Sequence, residues 1–198
     1  MIPLSRREVL LTPVVLAATN AMSAAVGGKK MTLAIHQNTS NGAGYRKSLE
    51  GWARAGIKDV EITNILLDDF LKTDTLAAAR RVITDLGLNL VHAATGVTEI
   101  WEPNPNRAAA LDNLKKRCEM YANMGLNRVY AATATSKKVT EDDYKAGVDN
   151  LFDAGEAAKQ FDMTLRIEFL RSSTFISTLP TLLKMTRAGS PSSRSTSM

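Results

Sequence analysis

The sequence is poor in cysteine and histidine, with one cysteine and two histidines among its 198 residues. A single cysteine, Cys118, excludes a disulfide within the chain. With only His36 and His92, the chain cannot form a zinc finger or a multi-histidine metal site. Any metal site must therefore depend on carboxylate ligands.

The chain also lacks a strong excess of charge of one sign. Its net charge is +5, and this falls to about +4 when Arg6, Arg7 and Glu8 are left out. The remaining charges are mixed in sign along the chain, which argues against a nucleic-acid partner. A composition with 44% apolar and 23% charged residues is typical of a globular domain with one core.

Phosphate-binding and nucleophile motifs are missing as well. Gly42-Ala43-Gly44 has no third glycine at the spacing that dinucleotide binding requires. The sequence contains no P-loop and no Gly-x-Ser-x-Gly elbow. These absences leave dinucleotide binding and serine hydrolase chemistry without support.

The N-terminal segment has the pattern of an export signal. Arg6-Arg7 precedes a largely apolar stretch at 9–26, and small residues at 23–25 are suited to a cleavage site. The paired arginines resemble a twin-arginine motif, so we predict a signal peptide at 1–25, use of the twin-arginine export machinery and a periplasmic or otherwise exported location. An ordinary signal peptide with a chance Arg-Arg, or an uncleaved membrane anchor, remains an alternative.

From residue 31 onward the chain alternates aliphatic runs with amphipathic segments. Glycines 56, 87 and 125 end three of the predicted helices, and a strand follows each of them. This repeat predicts βα units with parallel strands covered on both faces. The predicted strands are 31–36, 59–63, 89–94, 128–133 and 163–169, and the fourth helix is predicted at 144–160.

The repeat stops after a fifth amphipathic segment. Leu179, Leu182, Leu183 and Met185 predict a helix that ends near Gly189. A serine-rich tail at 190–198 follows where a sixth strand is expected, and we predict that it is disordered. A natural flexible terminus on a complete five-unit protein is the alternative interpretation.

Three segments resemble the xylose isomerase-like TIM barrel family, which includes sugar phosphate isomerases and epimerases. They are Gly-Ile-Lys-Asp-Val-Glu-Ile at 56–62, Leu-Val-His-Ala at 90–93 and Leu-Arg-Ile-Glu-Phe at 165–169. The resemblance covers 31–189 and implies an α/β fold. That fold is a partial TIM (β/α)₈ barrel with about five βα units, in which strands six to eight are missing.

The resemblance also implies a function. Members of the family use a divalent metal, such as Mn, Mg, Zn or Co, for proton transfer on a sugar or polyol. The resemblance implies that Glu168 is a metal ligand and that an aspartate, a histidine and another glutamate come from strands six to eight. Because those strands are missing, the expectation is a truncated chain with impaired or no activity, and both metal binding and enzymatic activity stay undecided.

Two glutamates are the candidate catalytic residues. Glu168 ends the fifth predicted strand, at the end of the strand where active sites of βα folds lie. As a hard oxygen ligand it suits a divalent cation, although it could instead pair with Arg166 or Arg171. Glu61 has the same position on the second strand and could transfer a proton or accept hydrogen bonds from loop amides.

Three further residues are candidates for substrate binding. His92 ends the third strand and could contact a substrate or act as a hydrogen-bonded core histidine. His36, on the first strand, could contact the substrate in the same way. Trp101 could form an apolar wall for a sugar ring or anchor its loop, whereas Trp52 and Cys118 are predicted to pack in the core.

The sequence is also compatible with one other function and one other architecture. One is an exported carbohydrate-binding protein that keeps the βα scaffold without catalysis. The other is a complete five-stranded doubly wound α/β domain, which predicts a strand order that is not sequential.

Overall fold

The computed structural model describes residues 32–98, 100–101, 104–136 and 138–188. The chain divides into two units after Leu33, and every helix and strand named here belongs to the unit that begins at Ala34. The predicted signal peptide at 1–25 and the predicted tail at 190–198 lie outside the described residues and stay predictions.

In the part of the chain that the structure describes, five parallel strands follow one another in sequential order. β1 pairs with β2, β2 pairs with β3, and β4 pairs with β5. A single bridge between Ala94 and Tyr130 joins the first sheet to the second. The strands are β1 Ile35–His36, β2 Asp59–Ile62, β3 Asn89–Ala93, β4 Arg128–Ala132 and β5 Thr164–Glu168.

This order decides between the predicted architectures. A doubly wound sheet reverses its strand order at a switch point, whereas the first strands of a (βα)₈ barrel are neighbours in sequence. The described strands have the barrel order, so the prediction of a partial barrel is confirmed. The doubly wound alternative is wrong for this part of the chain.

Helices connect the strands, as the repeat predicts. A 3₁₀ helix at Gln37–Ala43 and a short helix at Asn64–Phe70 were not predicted. Among the described residues, no helix combines the length and the apolar character that a membrane crossing needs. The helices are α1 Gly44–Arg54, α2 Asn64–Phe70, α3 Leu76–Asp85, α4 Arg107–Asn123, α5 Glu141–Lys159 and α6 Leu179–Ala188.

Local side chains explain where three of the helices begin. The hydroxyls of Thr63, Thr75 and Thr140 each accept a hydrogen bond from a backbone N–H in the first turn of the following helix. At α5, Asp143 also accepts a hydrogen bond from the backbone of Thr140, which completes a capping box. This cap starts α5 at Glu141, three residues before the predicted start.

The core lies between the sheet and the helices. Trp52 is 7% exposed and Cys118 is fully buried, which confirms that both pack in the core. Burial raises the pKa of the Cys118 thiol to about 11, so this cysteine is not a reactive nucleophile.

One prediction about the sheet is wrong. The strands were expected to be covered on both faces, but β5 alternates exposed and half-buried residues along its length. Leu165 and Ile167 pack against the core, while Arg166 and Glu168 are exposed. Within the described residues, the face of β5 that carries Arg166 and Glu168 is therefore not covered by a helix or by another strand.

Candidate functional site

Polar residues line one face of the sheet because of the strand register. Glu61 is paired with His36 on one side and with His92 on the other. Tyr130 bridges to Ala94 and is paired with Arg166. Side chains two residues apart on a strand point to the same face. This face therefore carries His36, Glu61, His92, Tyr130, Arg166 and Glu168.

A cavity of about 690 Å³ lies on this face. Its position near the C-terminal ends of the strands is where βα barrels bind substrate. Besides the six polar residues, Asn38, Ile167 and Phe169 line it. Four of the five sequence-predicted site residues, Glu168, Glu61, His92 and His36, are therefore brought together, although they come from four different strands.

Glu61 is the centre of the polar cluster. Its Oε1 lies 3.2 Å from His36 Nε2, and its Oε2 lies 3.6 Å from His92 Nδ1. The side chains of these three residues are mostly buried, with between 14% and 28% of their surface exposed. A carboxylate in this position is well placed to hold both imidazole rings in fixed orientations.

The backbone around His36 selects its tautomer. The backbone N–H of Asn38 donates to His36 Nδ1 at 3.1 Å, so Nδ1 is an acceptor and the ring proton is on Nε2. The 3₁₀ helix that follows β1 places this N–H, because His36 acts as its N-cap. His36 Nε2–H therefore points toward Glu61 and Tyr130.

Tyr130 connects the two histidines. Its hydroxyl lies 2.7 Å from His36 Nε2, and its ring packs against His92 with centroids 5.2 Å apart. Since His36 donates through Nε2–H, the Tyr130 oxygen is an acceptor there and its own proton is available to Glu61. Burial, reinforced by the negative charges of Glu61 and Glu168, raises the pKa of Tyr130, so its hydroxyl stays protonated.

The same contacts keep Glu61 ionised. Burial alone would raise the pKa of this carboxyl, but the interactions with His92, His36 and Tyr130 together outweigh burial and lower the pKa. Glu61 is therefore negatively charged at neutral pH. An ionised carboxylate is a strong hydrogen-bond acceptor and a weak base.

His92 has one nitrogen without a partner. When Nδ1–H points to Glu61, Nε2 carries a lone pair. This Nε2 is buried and has no hydrogen-bond partner among the described residues. A buried polar atom of this kind is unusual in a folded protein and indicates a place for a water molecule or a ligand group.

Glu168 differs from Glu61 in its surroundings. It lines the cavity together with Arg166, and both side chains are exposed. In the part of the chain that the structure describes, no ion pair joins Glu168 to Arg166 or Arg171. The alternative interpretation of Glu168 as part of such a pair is therefore not supported.

The described residues do not form a metal site by themselves. Across residues 32–98, 100–101, 104–136 and 138–188, no group of three or more histidine, cysteine, aspartate or glutamate side chains is arranged to hold a metal ion. Zinc sites use three or four protein ligands. A metal ion at Glu168 would need ligands from other residues.

Trp101 does not lie in the cavity. It is fully buried, and its indole N–H donates to the backbone oxygen of Ala132 at 2.9 Å. The side chain of Asn150 in turn donates to the backbone oxygen of Trp101 at 2.9 Å. The structure thus places Trp101 as an anchor of its loop and not as a wall for a sugar ring.

Sequence reasoning missed three polar cavity residues, Tyr130, Asn38 and Arg166. Tyr130 and Arg166 were inside predicted strands, and their alternation with aliphatic neighbours was the available signal. Their register with the histidine strands, however, depends on the pairing of β3 with β4. Asn38 acts through its backbone, so its side-chain type carries no signal.

Comparisons with known proteins identify the fold. No protein-family model and no curated protein sequence matches the chain. Among solved structures, a crystal structure of the IolI protein with a bound zinc atom matches with a TM-score of 0.70 and 17% identity, over 80% of this chain and 59% of that chain. A xylose isomerase domain protein from Alicyclobacillus acidocaldarius matches with a TM-score of 0.65 and 18% identity, over 80% of this chain and 60% of that chain.

A third neighbour is D-allulose 3-epimerase from Methylomonas sp. in complex with D-allulose. It matches with a TM-score of 0.63 and 17% identity, over 79% of this chain and 58% of that chain. These likenesses show that the chain has the α/β fold of the TIM barrel neighbours. The chain spans between 58% and 60% of the length of these three structures.

Proposed function

We propose that the cavity is a sugar- or polyol-binding site of the isomerase and epimerase type. Two observations support the proposal. The fold is shared with D-allulose 3-epimerase in complex with its sugar. The cavity of about 690 Å³ also has the size of a small-molecule site and is lined by hydrogen-bonding side chains.

The single observation that carries the proposal is the ionised Glu61 between two histidines. Sugars and polyols present adjacent hydroxyl groups, which donate hydrogen bonds to carboxylates and accept them from imidazole N–H groups. Glu61 supplies the first kind of partner, and the exposed Arg166, which lines the same cavity, supplies N–H donors to hydroxyl oxygens. Charge-assisted hydrogen bonds of this kind are roughly twice as strong as neutral ones.

His92 is the residue that would accept a proton. Glu61 lies 3.6 Å from its Nδ1, and Nε2 has no partner among the described residues. A base oriented by a carboxylate through its other nitrogen is a recurring arrangement in proton-transfer enzymes. In this arrangement Glu61 orients His92, which differs from the expectation that Glu61 itself transfers the proton.

A divalent metal is part of what the family resemblance implies. Such an ion would polarise a sugar carbonyl or hydroxyl, and Glu168 is the described residue that the resemblance assigns to it. The described residues offer no group of three metal ligands. We therefore assign sugar binding and proton transfer to the chain's own side chains.

Calorimetry with a panel of sugars and polyols tests the binding. The wild-type chain is expected to bind at least one member with a chelator present, and Glu61→Gln is expected to weaken that binding roughly tenfold or more, since it removes a charged acceptor. Glu119→Gln is the matched control, because Glu119 is exposed on α4 and does not line the cavity. Absence of binding across the panel, or equal loss in both variants, would contradict the proposal.

A second candidate is a carbohydrate-binding protein without catalysis. The low pKa of Glu61 favours it, because a carboxyl with a lowered pKa accepts hydrogen bonds well but is a weak base. Exchange of sugar C–H hydrogens with deuterium from heavy water separates the two functions. Exchange that His92→Gln abolishes without loss of sugar binding supports proton transfer, whereas binding without any exchange supports the second candidate.

A further inference from the structure

The polar cluster consists of His36, Glu61, His92 and Tyr130, which lie on strands β1 to β4 and line the cavity. An ionised carboxylate has no hydrogen-bond donor, a tyrosine has one O–H, and a neutral imidazole has one N–H. The donors that the cluster could offer to a ligand are therefore those of Tyr130 and the two histidines. Their directions follow from contacts among strands that pair with each other in the structure.

The donor of His36 is directed into the cluster. The backbone N–H of Asn38 occupies His36 Nδ1 at 3.1 Å, so the ring proton lies on Nε2. This Nε2 lies 2.7 Å from the Tyr130 hydroxyl oxygen and 3.2 Å from Glu61 Oε1. Both acceptors belong to the cluster, so His36 keeps no ring nitrogen free for a ligand.

The fully buried Gln37 fixes the turn that contains this contact. Its Nε2 donates to the backbone oxygen of Tyr45 at 3.1 Å and to Ser48 Oγ at 2.9 Å. Its Oε1 accepts from the backbone N–H of Thr63 at 3.3 Å. Gln37 thus ties the turn after β1 to α1 and to the residue that follows β2, because a buried amide with satisfied donors and acceptor resists displacement.

The donor of Tyr130 is directed at Glu61. The Tyr130 oxygen accepts from His36, so its own O–H cannot point back at the same nitrogen. Glu61 is the hydrogen-bond partner of this hydroxyl within the cluster. Burial, together with the charge of Glu61, raises the pKa of Tyr130, so the hydroxyl keeps its proton. The Tyr130 donor is therefore used inside the cluster as well.

The donor of His92 also points to Glu61. His92 Nδ1 lies 3.6 Å from Glu61 Oε2, which is the acceptor for its proton. The His92 ring packs against Tyr130 with centroids 5.2 Å apart, which limits its rotation. Its Nε2 then carries a lone pair, is buried and has no hydrogen-bond partner among the described residues. At this nitrogen His92 can accept a hydrogen bond but cannot donate one.

The cluster as a whole thus offers acceptors to a ligand. What remains is the carboxylate lone pairs of Glu61 and the Nε2 lone pair of His92. A ligand atom that has only lone pairs would leave these acceptors unsatisfied and would be repelled by the charge of Glu61. A site of this kind discriminates strongly between a hydroxyl group and an analogue that lacks its proton.

We propose that the polar cluster is an acceptor site that selects its ligand by hydrogen-bond donation. It binds adjacent hydroxyl groups of a sugar or polyol, or an amino group in place of one of them, and it rejects carbonyl, ether and fluoro groups. One hydroxyl donates to Glu61 and the next donates to His92 Nε2. The inference rests on the proposed function for the ligand class and goes beyond it, because it states which groups of the ligand face the cluster.

Nitrogen NMR of the full chain tests the directions of the donors without a ligand. The chain contains two histidines, so nitrogen-15 labelling of histidine gives signals from His36 and His92 alone, and His36→Asn assigns them. Protonated and bare ring nitrogens have well-separated shifts. At about pH 8, where ordinary imidazoles are neutral, we expect a bare Nδ1 in His36 and a bare Nε2 in His92. A bare Nε2 in His36 or a protonated Nε2 in His92 would overturn the inference.

Two small isomers test the selection. The molecules 2,3-butanediol and 1,2-dimethoxyethane contain the same atoms, but only the diol has donors. The diol is expected to shift the His92 Nε2 signal and to bind at least about tenfold more tightly than the diether. Equal binding of the two isomers, or no effect of the diol on His92 at molar concentration, would also overturn the inference.

A change at Glu61 tests the source of the selection. Glu61→Gln puts an N–H donor into the cluster and is expected to reduce the preference for the diol over the diether. Glu119→Gln is the matched control on the exposed surface of α4 and is expected to keep that preference. Circular dichroism checks that both variants are folded, and the comparison of the isomers on the wild-type chain does not depend on either variant.

Analogues of a bound sugar separate this inference from the proposed function. For a panel sugar that binds, each hydroxyl is replaced in turn by fluorine and by an amino group. At adjacent positions, fluorine is expected to weaken binding about tenfold or more, while the amino group retains it. Tolerance of fluorine at every position would overturn the inference and leave the proposed function standing. Preference for the diol over the diether, with no sugar of the panel bound, would support the inference and contradict the proposed function.

Discussion

Charged side chains at the two ends of the strand order, in β1–β3 and in β5, have different surroundings. In β1–β3, the carboxylate of Glu61 is held between His36 and His92 and is 21% exposed. In β5, Arg166 and Glu168 lie two residues apart on one strand, are exposed, and have no ion pair with each other in the described part of the chain. Both ends face the same cavity.

The difference has a structural cause. Glu61 lies on a strand with a neighbour on each side, so its register partners come from β1 and β3 and reach its two oxygens. Among the described residues, the strand of Glu168 is paired on one side, and its register partner is Ala132. A carboxylate is thus enclosed where neighbouring strands supply donors, and it stays open to solvent or to a ligand where they do not.

The largest effect on stability is expected at Trp101, which follows β3 in the chain and bonds to the end of β4. Trp101 is fully buried and bonds to Ala132 at the end of β4, and Asn150 of α5 bonds to its backbone oxygen. Trp101→Ala is expected to lower the free energy of unfolding by about 3–5 kcal/mol, because it leaves a large cavity. Urea denaturation measures this loss.

Trp101→Phe separates packing from hydrogen bonding at the same position. It keeps most of the apolar volume and removes the indole N–H, so we expect a loss of about 1 kcal/mol. Hydrogen exchange in Trp101→Ala is expected to be faster in β4 and β5 than in β1–β3. Uniformly faster exchange would show that the two ends unfold as one unit and would remove the distinction between them.

The next effect sharpens the comparison between the two glutamates. Glu61→Gln is expected to cost about 1.5–3 kcal/mol at pH 7, because Glu61 is a partly buried charged acceptor for several donors. Glu168→Gln is the matched variant and is expected to change the stability by less than about 0.5 kcal/mol, since Glu168 is exposed. Chemical denaturation of both variants gives the two values.

The pH dependence of the same pair tests the electrostatic cause. The pKa of Glu61 is lower in the folded chain than in the unfolded chain, where it is about 4.3. Its contribution to stability is therefore present above about pH 4.3 and is lost as the pH falls through the folded pKa. The stability difference between wild type and Glu61→Gln is expected to shrink below that pH, and a constant difference would contradict this assignment.

A smaller effect is expected in the helix that supports β5. A methyl group at Gly147 in α5 would collide with the ring of Phe175 and with the terminal methyl group of Met185. Gly147→Ala is therefore expected to destabilise the chain by about 1–3 kcal/mol. Gly155→Ala in the same helix meets no atom within 4 Å and is expected to be neutral or stabilising by about 0.5–1 kcal/mol. Thermal unfolding compares the two variants.

The smallest effect concerns the start of the same helix. Thr140→Ala removes the side chain that caps α5 and is expected to cost about 1 kcal/mol. Thr140→Ser keeps the hydroxyl and is expected to retain most of the stability. Equal losses in both variants, measured by denaturation, would show that the methyl group of Thr140 matters and that the cap does not.

Much of the fold could be predicted from the sequence because it depends on local patterns. The described strands β2 to β5 lie within one residue of the predicted ones at each end. Helix α6 also begins and ends where its leucine spacing predicts. Glycines 56, 87 and 125 adopt positive φ angles of 80°, 60° and 93°, which is the conformation that ends a helix.

Two short elements escaped prediction for physical reasons. The 3₁₀ helix Gln37–Ala43 is polar and shows no apolar periodicity, and its start depends on the ring nitrogen of His36. Helix α2, at Asn64–Phe70, is seven residues long, which is too short to display a clear periodic pattern. Its start depends on the hydroxyl of Thr63, a signal that many loop threonines share.

The sequence, with few cysteines and histidines, determined which chemistry the chain could use: carboxylates, two imidazoles and no disulfide. It also determined the βα repeat, because strand and helix formation follow local apolar periodicity. Only the tertiary structure decided that Glu61 meets both histidines and Tyr130, that Trp101 anchors a loop, and that Arg166 and Glu168 are exposed beside the same cavity. These features depend on which strands are neighbours and on their register, and contacts between residues far apart in the chain leave no periodic signal in the sequence.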